Sequence, residues 1–201
     1  ITHSQTSNII FASMQGMVVK STGSWYWVRT NNGEYHQARI RGKFRIKGLK
    51  STNPIAVGDM VTLLHEGDDY LITDILERKN YIIRKSVNLS KQVHIIASNI
   101  DQAFLIVTLA SPPTSVGFID RFLVTAEAYQ IPTILVFNKV DLYDEFDREY
   151  HDEIVEMYTE AGYECIEASA LEQTNIDALT SKMKDKVTLL SGHSGVGKST
   201  L

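Results

Sequence analysis

Val187 to Leu201 reads VTLLSGHSGVGKSTL, a short apolar run that feeds straight into a glycine-rich turn. Gly192, His193, Ser194, Gly195, Val196, Gly197, Lys198 and Ser199, followed by Thr200, fit the pattern G-x-x-x-x-G-K-[ST]. Glycines at these places let the backbone wrap with its N–H groups pointing inward, a nest for phosphate oxygens. A helix starting here adds the positive end of its dipole. On this reading Lys198 reaches the β- and γ-phosphates, and the Ser199 hydroxyl ligates Mg²⁺. His193 stands at a variable position and is read as a spacer or minor phosphate contact. Typical residue frequencies give the pattern by chance in roughly one chain of this length in a hundred. The competing reading is a plain strand-to-helix turn.

Working back along the chain, Asn138-Lys139-Val140-Asp141 closes the apolar stretch TILVF. A carboxylate at Asp141 accepts hydrogen bonds from N1–H and the exocyclic amine of guanine. Adenine offers an acceptor at the first position and lacks that amine, so it leaves the carboxylate unpaired. An unsatisfied buried polar group is expensive, and selection against adenine follows. Lys139 is expected to pack its stem over the base, and Asn138 to tie this loop to the phosphate loop. Val140 is the spacer of the motif. Ser169-Ala170 closes the next apolar stretch and is read as offering a backbone N–H to guanine O6. Alone, that dipeptide is mere composition; its place between the other two gives it weight.

The surrounding elements place these motifs. AFLIVTL (103–109), TILVFN (133–138), YECIEAS (163–169) and VTLLSG (187–192) read as buried strands. Helical stretches near 118–129, 149–161 and 176–184 separate them, which predicts βαβ units on a parallel sheet. Thr174-Asn175-Ile176-Asp177 looks like a capping box with Asp in place of Glu. Open α/β sheets bind ligands at the carboxyl ends of their strands, where all three motifs fall. Their order is unusual. Common GTPases carry the phosphate loop first, whereas here Asp141 precedes Gly192 by about fifty residues. That order is the order of a circularly permuted G domain.

Residues 16–80 have a different rhythm. MVVK, SWYWVRT, EYHQARI, MVTLL and DYLITDI are short, β-rich and partly alternating. Asn32-Gly33 between two of them signals a hairpin with a type I′ turn. About five short antiparallel strands suit a small barrel such as an OB-fold, and an SH3-like barrel would read similarly. In Trp25-Tyr26-Trp27 the tyrosine must face opposite to its neighbours. The tryptophans are expected in the core, with base stacking as the minority reading.

Of the 201 residues, 43% are apolar and 22% charged, ordinary globular composition. No run approaches the roughly 18 apolar residues of a spanning helix, so no membrane partner is read. Residues 1–15 make a poor signal peptide and read as an unstructured leader. Cys165 is the one cysteine, expected buried on a strand, and cytoplasm is the default. The net charge of -4 hides an asymmetry: residues 16–50 hold eight bases and one acid, residues 86–201 seventeen acids and eight bases. A basic segment on an acidic chain suggests a polyanion partner. Arg39, Arg41, Lys43, Arg45 and Lys47 are the RNA-contact candidates.

Taken together, these residues resemble the circularly permuted ribosome-assembly GTPases of bacteria, the RsgA or YjeQ family. The resemblance runs from about Gly16 to Leu201. It rests on Ser51-Thr52-Asn53-Pro54, Val57-Gly58-Asp59, Ala97-Ser98-Asn99-Ile100-Asp101-Gln102, Gly117-Phe118-Ile119-Asp120-Arg121, NKVDL and GHSGVGKST. It implies a multi-domain chain: an N-terminal all-β OB-fold barrel (16–80), a connector (81–100), and an α/β P-loop GTPase domain from 101, circularly permuted and incomplete at Leu201. It further implies GTP/GDP and Mg²⁺ as ligands and GTP hydrolysis stimulated by the small ribosomal subunit. The barrel would contact rRNA, in a monomer acting late in subunit maturation. The family's D-x-x-G switch and its Cys/His zinc domain are expected beyond Leu201, with no zinc ligand in this chain, so hydrolysis by this stretch alone is doubtful. Two other readings stand beside it: an RNA-binding module with a non-hydrolysing nucleotide-sensing domain, and an ATP-dependent P-loop enzyme.

Overall fold

The computed structural model describes residues 13–41, 54–67, 69–85 and 93–201. The chain divides into two compact units, one ending at Ser98 and the other starting at Asn99.

In the first unit, β1 (Ser13–Thr22), β2 (Trp25–Thr30), β3 (Tyr35–Ile40), β4 (Met60–Glu66) and β5 (Asp69–Ile75) close into a barrel. Its order is β1-β2-β3-β5-β4. Every pairing is antiparallel except β3 with β5, which is parallel. An all-antiparallel reading therefore misses one seam, because a long connection after β3 lets β4 intervene in sequence. β1 begins at Ser13, inside the stretch expected as a leader; residues 1–12 lie outside the described residues.

β2 alternates strictly between exposed and buried positions. Val18, Tyr26, Val28, Ala38, Leu63 and Ile72 fill the barrel. The tryptophans do not. Tyr26 is 2% exposed, while Trp25 and Trp27 are 39% and 38% exposed. The period of two forces one choice on all three rings, and the smaller inward ring fits the narrow interior. The Asn32-Gly33 hairpin forms, but the turn is wider than type I′: Gly33 has φ +87° and Asn32 is not left-handed. The Thr30 hydroxyl donates to the Asn32 side-chain oxygen and so holds the turn.

Within Val57-Gly58-Asp59, the valine is exposed and the other two residues form a buried lock. Asp59 is fully buried and receives Arg78 through Nε and a terminal nitrogen, both at 2.6 Å. The Ser98 hydroxyl (2.5 Å) and the Ala56 N–H (2.9 Å) donate to the same carboxylate. A Cβ on Gly58 would stand 2.0 Å from the Ser98 carbonyl oxygen, so only glycine fits. The stretch 81–100, expected as a connector, contains an antiparallel pair, β6 (Tyr81–Lys85) with β7 (Val93–Ser98).

The second unit is a parallel sheet in the order β10-β9-β8-β11. Its strands are β8 (Gln102–Val107), β9 (Thr133–Asn138), β10 (Glu164–Ala168) and β11 (Thr188–Ser191). Between them lie α1 (Val116–Ala128), α2 (Glu145–Glu160) and α3 (Ile176–Met183). Every residue of β8 is buried. Leu105, Val107, Leu135 and Phe137 pack against Ile119 and Leu123 of α1 and Ile154 and Tyr158 of α2. Phe104, Ile106 and Val136 turn the other way, against Leu179 of α3 and Val196. Alternate residues of one strand thus serve opposite layers, and the strands read as continuous apolar runs for that reason.

The capping box expected at Thr174 does not form. Thr174 instead bridges to Ser169 through paired backbone bonds, and the α3 cap is Asn175, left-handed and without a side-chain cap bond. α2 carries the real cap: the Asp144 carboxylate accepts the Asp147 N–H at 2.9 Å. Cys165 sits half-buried on β10, and burial pushes its thiol up.

Candidate functional site

Register brings the three motifs to one rim. Ala168 lies beside Asn138, Phe137 beside Val107, and Ser191 beside Leu105. The loops after β9, β10 and β11 therefore rise from neighbouring strand ends.

The glycine-rich loop is shaped by three left-handed glycines, Gly192 (φ +141°), Gly195 (φ +85°) and Gly197 (φ +96°). Space is as decisive as torsion. A Cβ on Gly192 would meet the Ile106 carbonyl oxygen at 2.4 Å, and one on Gly197 would meet Asn138 Nδ2 at 2.3 Å. Val196 is fully buried and anchors the loop to the sheet layer of α3. Lys198 folds back over the loop, its Nζ donating to the carbonyls of Gly192 (2.9 Å) and His193 (2.6 Å). The Leu201 N–H reaches the Gly197 carbonyl at 3.0 Å, an α-type turn. Its first N–H groups lie beside the loop, where an anion is favoured. Ser194, Ser199 and Thr200 are exposed. The His193 ring stacks on Phe118 of α1, with centroids 3.8 Å apart.

The loop after β9 is tied directly to it. Asn138, almost fully buried, donates from Nδ2 to the Val196 carbonyl at 2.8 Å. Its Oδ1 accepts the Ala170 N–H at 3.3 Å, so one side chain joins all three loops. Lys139 is left-handed (φ +66°), a costly conformation for a residue with a side chain. That torsion lays its stem across the site, with Nζ on the carbonyls of Ser111 (2.5 Å) and Gly195 (2.8 Å). Asp141 is the middle residue of a short 3-10 turn (Val140–Leu142), and its Oδ1 accepts the Ser169 hydroxyl at 2.5 Å. A carboxylate has about four acceptor positions, so this bond orients Asp141 and leaves the others open.

A pocket of about 210 Å³ opens between these parts, lined by Asn138, Lys139, Asp141, Leu142, Ala170, Leu171, Gly197 and Thr200. Leu142 and Leu171, 53% and 80% exposed, add apolar surface to this lining. Such a slot suits a flat heteroaromatic ring read at its edge.

Sequence reading missed the supports behind this loop. Arg148, on the second turn of α2, donates to the Val140 carbonyl at 2.9 Å. It also faces Glu167 at 3.4 Å and lies over the Tyr143 ring at 5.2 Å. Burial pushes the Tyr143 phenol up to about 12. No spacing rule predicts a side chain reaching back eight positions to a loop carbonyl. The Ser169 hydroxyl on Asp141 is equally invisible in the sequence, because the two residues are 28 positions apart and lie on different strand ends.

Of the RNA-contact candidates, Arg39 and Arg41 are exposed on β3 and just past it. Lys43, Arg45 and Lys47 lie outside the described residues. No helix among the described residues is long and apolar enough to cross a membrane. No group of three or more His, Cys, Asp or Glu among them is arranged to hold a metal. A magnesium ion asks for less, since it keeps several waters and shares phosphate oxygens. One exposed hydroxyl at Ser199, beside a glycine cradle, fits that requirement.

Comparison with known proteins agrees with this architecture. The family model for the RsgA GTPase matches residues 75–201, and that for the RsgA N-terminal domain matches residues 15–70. The chain is 54% identical over 189 residues to the small ribosomal subunit biogenesis GTPase RsgA 2 of Bacteroides thetaiotaomicron. It is 58% identical over 192 residues to the small ribosomal subunit biogenesis GTPase RsgA of Christiangramia forsetii. Each alignment covers 94% of this chain and 61% of the relative, so the chain spans about three fifths of their length. The crystal structure of YjeQ from Thermotoga maritima superposes with TM-score 0.75 at 36% identity, over 94% of this chain and 63% of that one. YloQ, described as a circularly permuted GTPase, superposes with TM-score 0.72 at 29% identity, over 99% of this chain and 65% of that one. A closed five-stranded barrel followed by a permuted P-loop sheet, matched along both halves, makes this chain a member of the RsgA GTPase family.

Proposed function

We propose that the protein containing this chain is a GTP-hydrolysing factor of small-ribosomal-subunit biogenesis, acting late in maturation in the cytoplasm. Its relatives are named small ribosomal subunit biogenesis GTPases; the late stage and the cytoplasmic setting are part of the proposal. The observation that carries the reading is the junction of the two loops, Asn138 Nδ2 on the Val196 carbonyl at 2.8 Å and Lys139 Nζ on the Gly195 carbonyl at 2.8 Å. A nucleotide laid along that junction meets a base edge at one end and a phosphate nest at the other.

In this reading Asp141, held by Ser169, receives the guanine N1–H and amine. The stem of Lys139 covers the ring, and the Ala170 amide turns from Asn138 Oδ1 to guanine O6. The inward amides of Gly192 to Thr200 hold the phosphates, and Lys198 exchanges two carbonyl partners for phosphate oxygens. Magnesium, when bound, offsets charge on those oxygens, and Ser199 is the residue of this chain that would hold it. Catalysis of this kind is positioning and electrostatic stabilisation rather than covalent chemistry. The barrel supplies the rRNA contact, with Arg39 and Arg41 as exposed cations. The protein works as a monomer. The family's zinc domain is no part of this reading of residues 1–201.

The test is GTP turnover by the full-length protein, with and without small ribosomal subunits. Stimulation by the subunits, lost on Lys198→Ala, is expected; equal turnover in both conditions would overturn the reading. A second reading, an RNA-binding module whose nucleotide domain senses but does not hydrolyse, predicts tight GTP binding with no phosphate release under either condition.

A further inference from the structure

The barrel carries a surface that the cation count did not predict. On β2 the outward positions are Trp25, Trp27 and Arg29. Cross-strand neighbours on the same face complete it: Arg39 beside Trp25, Lys20 beside Trp27, and Tyr35 beside Arg29. A register shift between Val18 and Lys20 is responsible for the Lys20 placement. This bulge sets Val19 and Lys20 both outside, where an unbroken strand would have turned one inward. Each aromatic ring therefore has a cation as its neighbour across the strand. The Arg39 guanidinium lies 5.9 Å from the Trp25 ring centroid and is also paired with Asp69. Tyr35 is 58% exposed, so all three rings are open on one face.

Large exposed aromatics are costly, and a barrel whose core is already closed has no use for them. An apolar protein partner would be matched by a face without interleaved charge. Alternating rings and cations fit a chain that is anionic along its length and carries flat bases at regular intervals. The two tryptophans are about 6.6 Å apart by strand geometry, far enough to hold two bases separately. A duplex would present stacked, inaccessible base faces, and A-form RNA is recognised by its shape and backbone.

We infer that the outer face of β1, β2 and β3 is a stacking platform for an unpaired stretch of RNA. Trp25 and Trp27 each take one base, and Lys20, Arg29 and Arg39 meet the phosphates. This deepens the reading of the barrel as the RNA-contacting unit and rests on it.

Trp25 and Trp27 are the only tryptophans in the chain, so its indole emission reports on this face alone. The experiment titrates the 201-residue chain with a short oligouridylate and with a blunt RNA duplex, following tryptophan emission and, separately, anisotropy of labelled RNA. Quenching by the oligouridylate is expected, with weaker quenching by the duplex. Trp27→Ala should weaken oligouridylate binding about tenfold, and Trp27→Tyr should restore most of it. Binding seen by anisotropy without quenching, or unchanged in Trp25→Ala and Trp27→Ala, would overturn the platform while leaving the barrel an RNA binder. No binding of either RNA would overturn both.

Discussion

Asn138 Nδ2 donates to the Val196 carbonyl at 2.8 Å across 58 residues of sequence, joining the loop after β9 to the loop after β11. The same side chain accepts from Ala170, so a single amide fixes the spacing of three loops that share no local sequence. Nearly complete burial makes the bond worth keeping, since a buried donor without a partner costs about 1–3 kcal/mol. Asn138→Ala should lower stability by about that amount. It should also weaken GDP binding, because the two halves of the site lose their common tie. Thermal unfolding and calorimetric titration of the variant check both parts.

Asp141→Asn tests base reading. An amide in place of the carboxylate offers one acceptor where guanine needs two, so the preference for GDP over ADP should fall about a hundredfold or more. ADP affinity should stay within about twofold, since its phosphates still meet an intact loop. Competition binding of both nucleotides gives the ratio directly.

Arg148→Met keeps an apolar stem over Tyr143 but removes the donor to the Val140 carbonyl. GDP affinity should drop by about tenfold, consistent with loss of one charge-assisted hydrogen bond. The phosphate contribution should be untouched, so inorganic triphosphate should compete as well as before. A loss that appears equally for triphosphate would assign Arg148 to general stability.

Arg78→Met probes the first unit, where Arg78 and Asp59 form a pair with 9% and 0% of their side chains exposed. Removing the cation leaves a buried carboxylate with only Ser98 and the Ala56 amide, at an expected cost of about 3–5 kcal/mol. Replacing both partners, Asp59→Leu with Arg78→Met, should cost less than the single change. Denaturant melts of the single and double variants measure the difference.

The α/β unit was legible because its signals are local. The AFLIVTL run is buried along all of β8, and N-K-x-D and the glycine loop both end strands of one sheet. What escaped depends on distance or facing. The parallel seam between β3 and β5 joins strands separated by another, which no pattern along the chain encodes. Period-two alternation showed that Tyr26 opposes the tryptophans but not which side faces inward; barrel width decided that. Thr174 and Asp177 have capping-box spacing, yet the Ser169–Thr174 bridge claims that backbone first. Arg148 acts on the Val140 carbonyl from another element, a contact between loop and helix that exists only after folding.

In the proposed site the loops at Asn138–Asp141 and Gly192–Ser199 hold opposite ends of one guanosine nucleotide. Amide resonances of both loops, followed while GDP and then ADP are added to the chain, test it most directly. GDP should shift both sets along one binding curve with a single Kd, whereas ADP at the same concentrations should shift the glycine loop alone. If GDP moved one loop only, or moved the two with different affinities, no single nucleotide would bridge them.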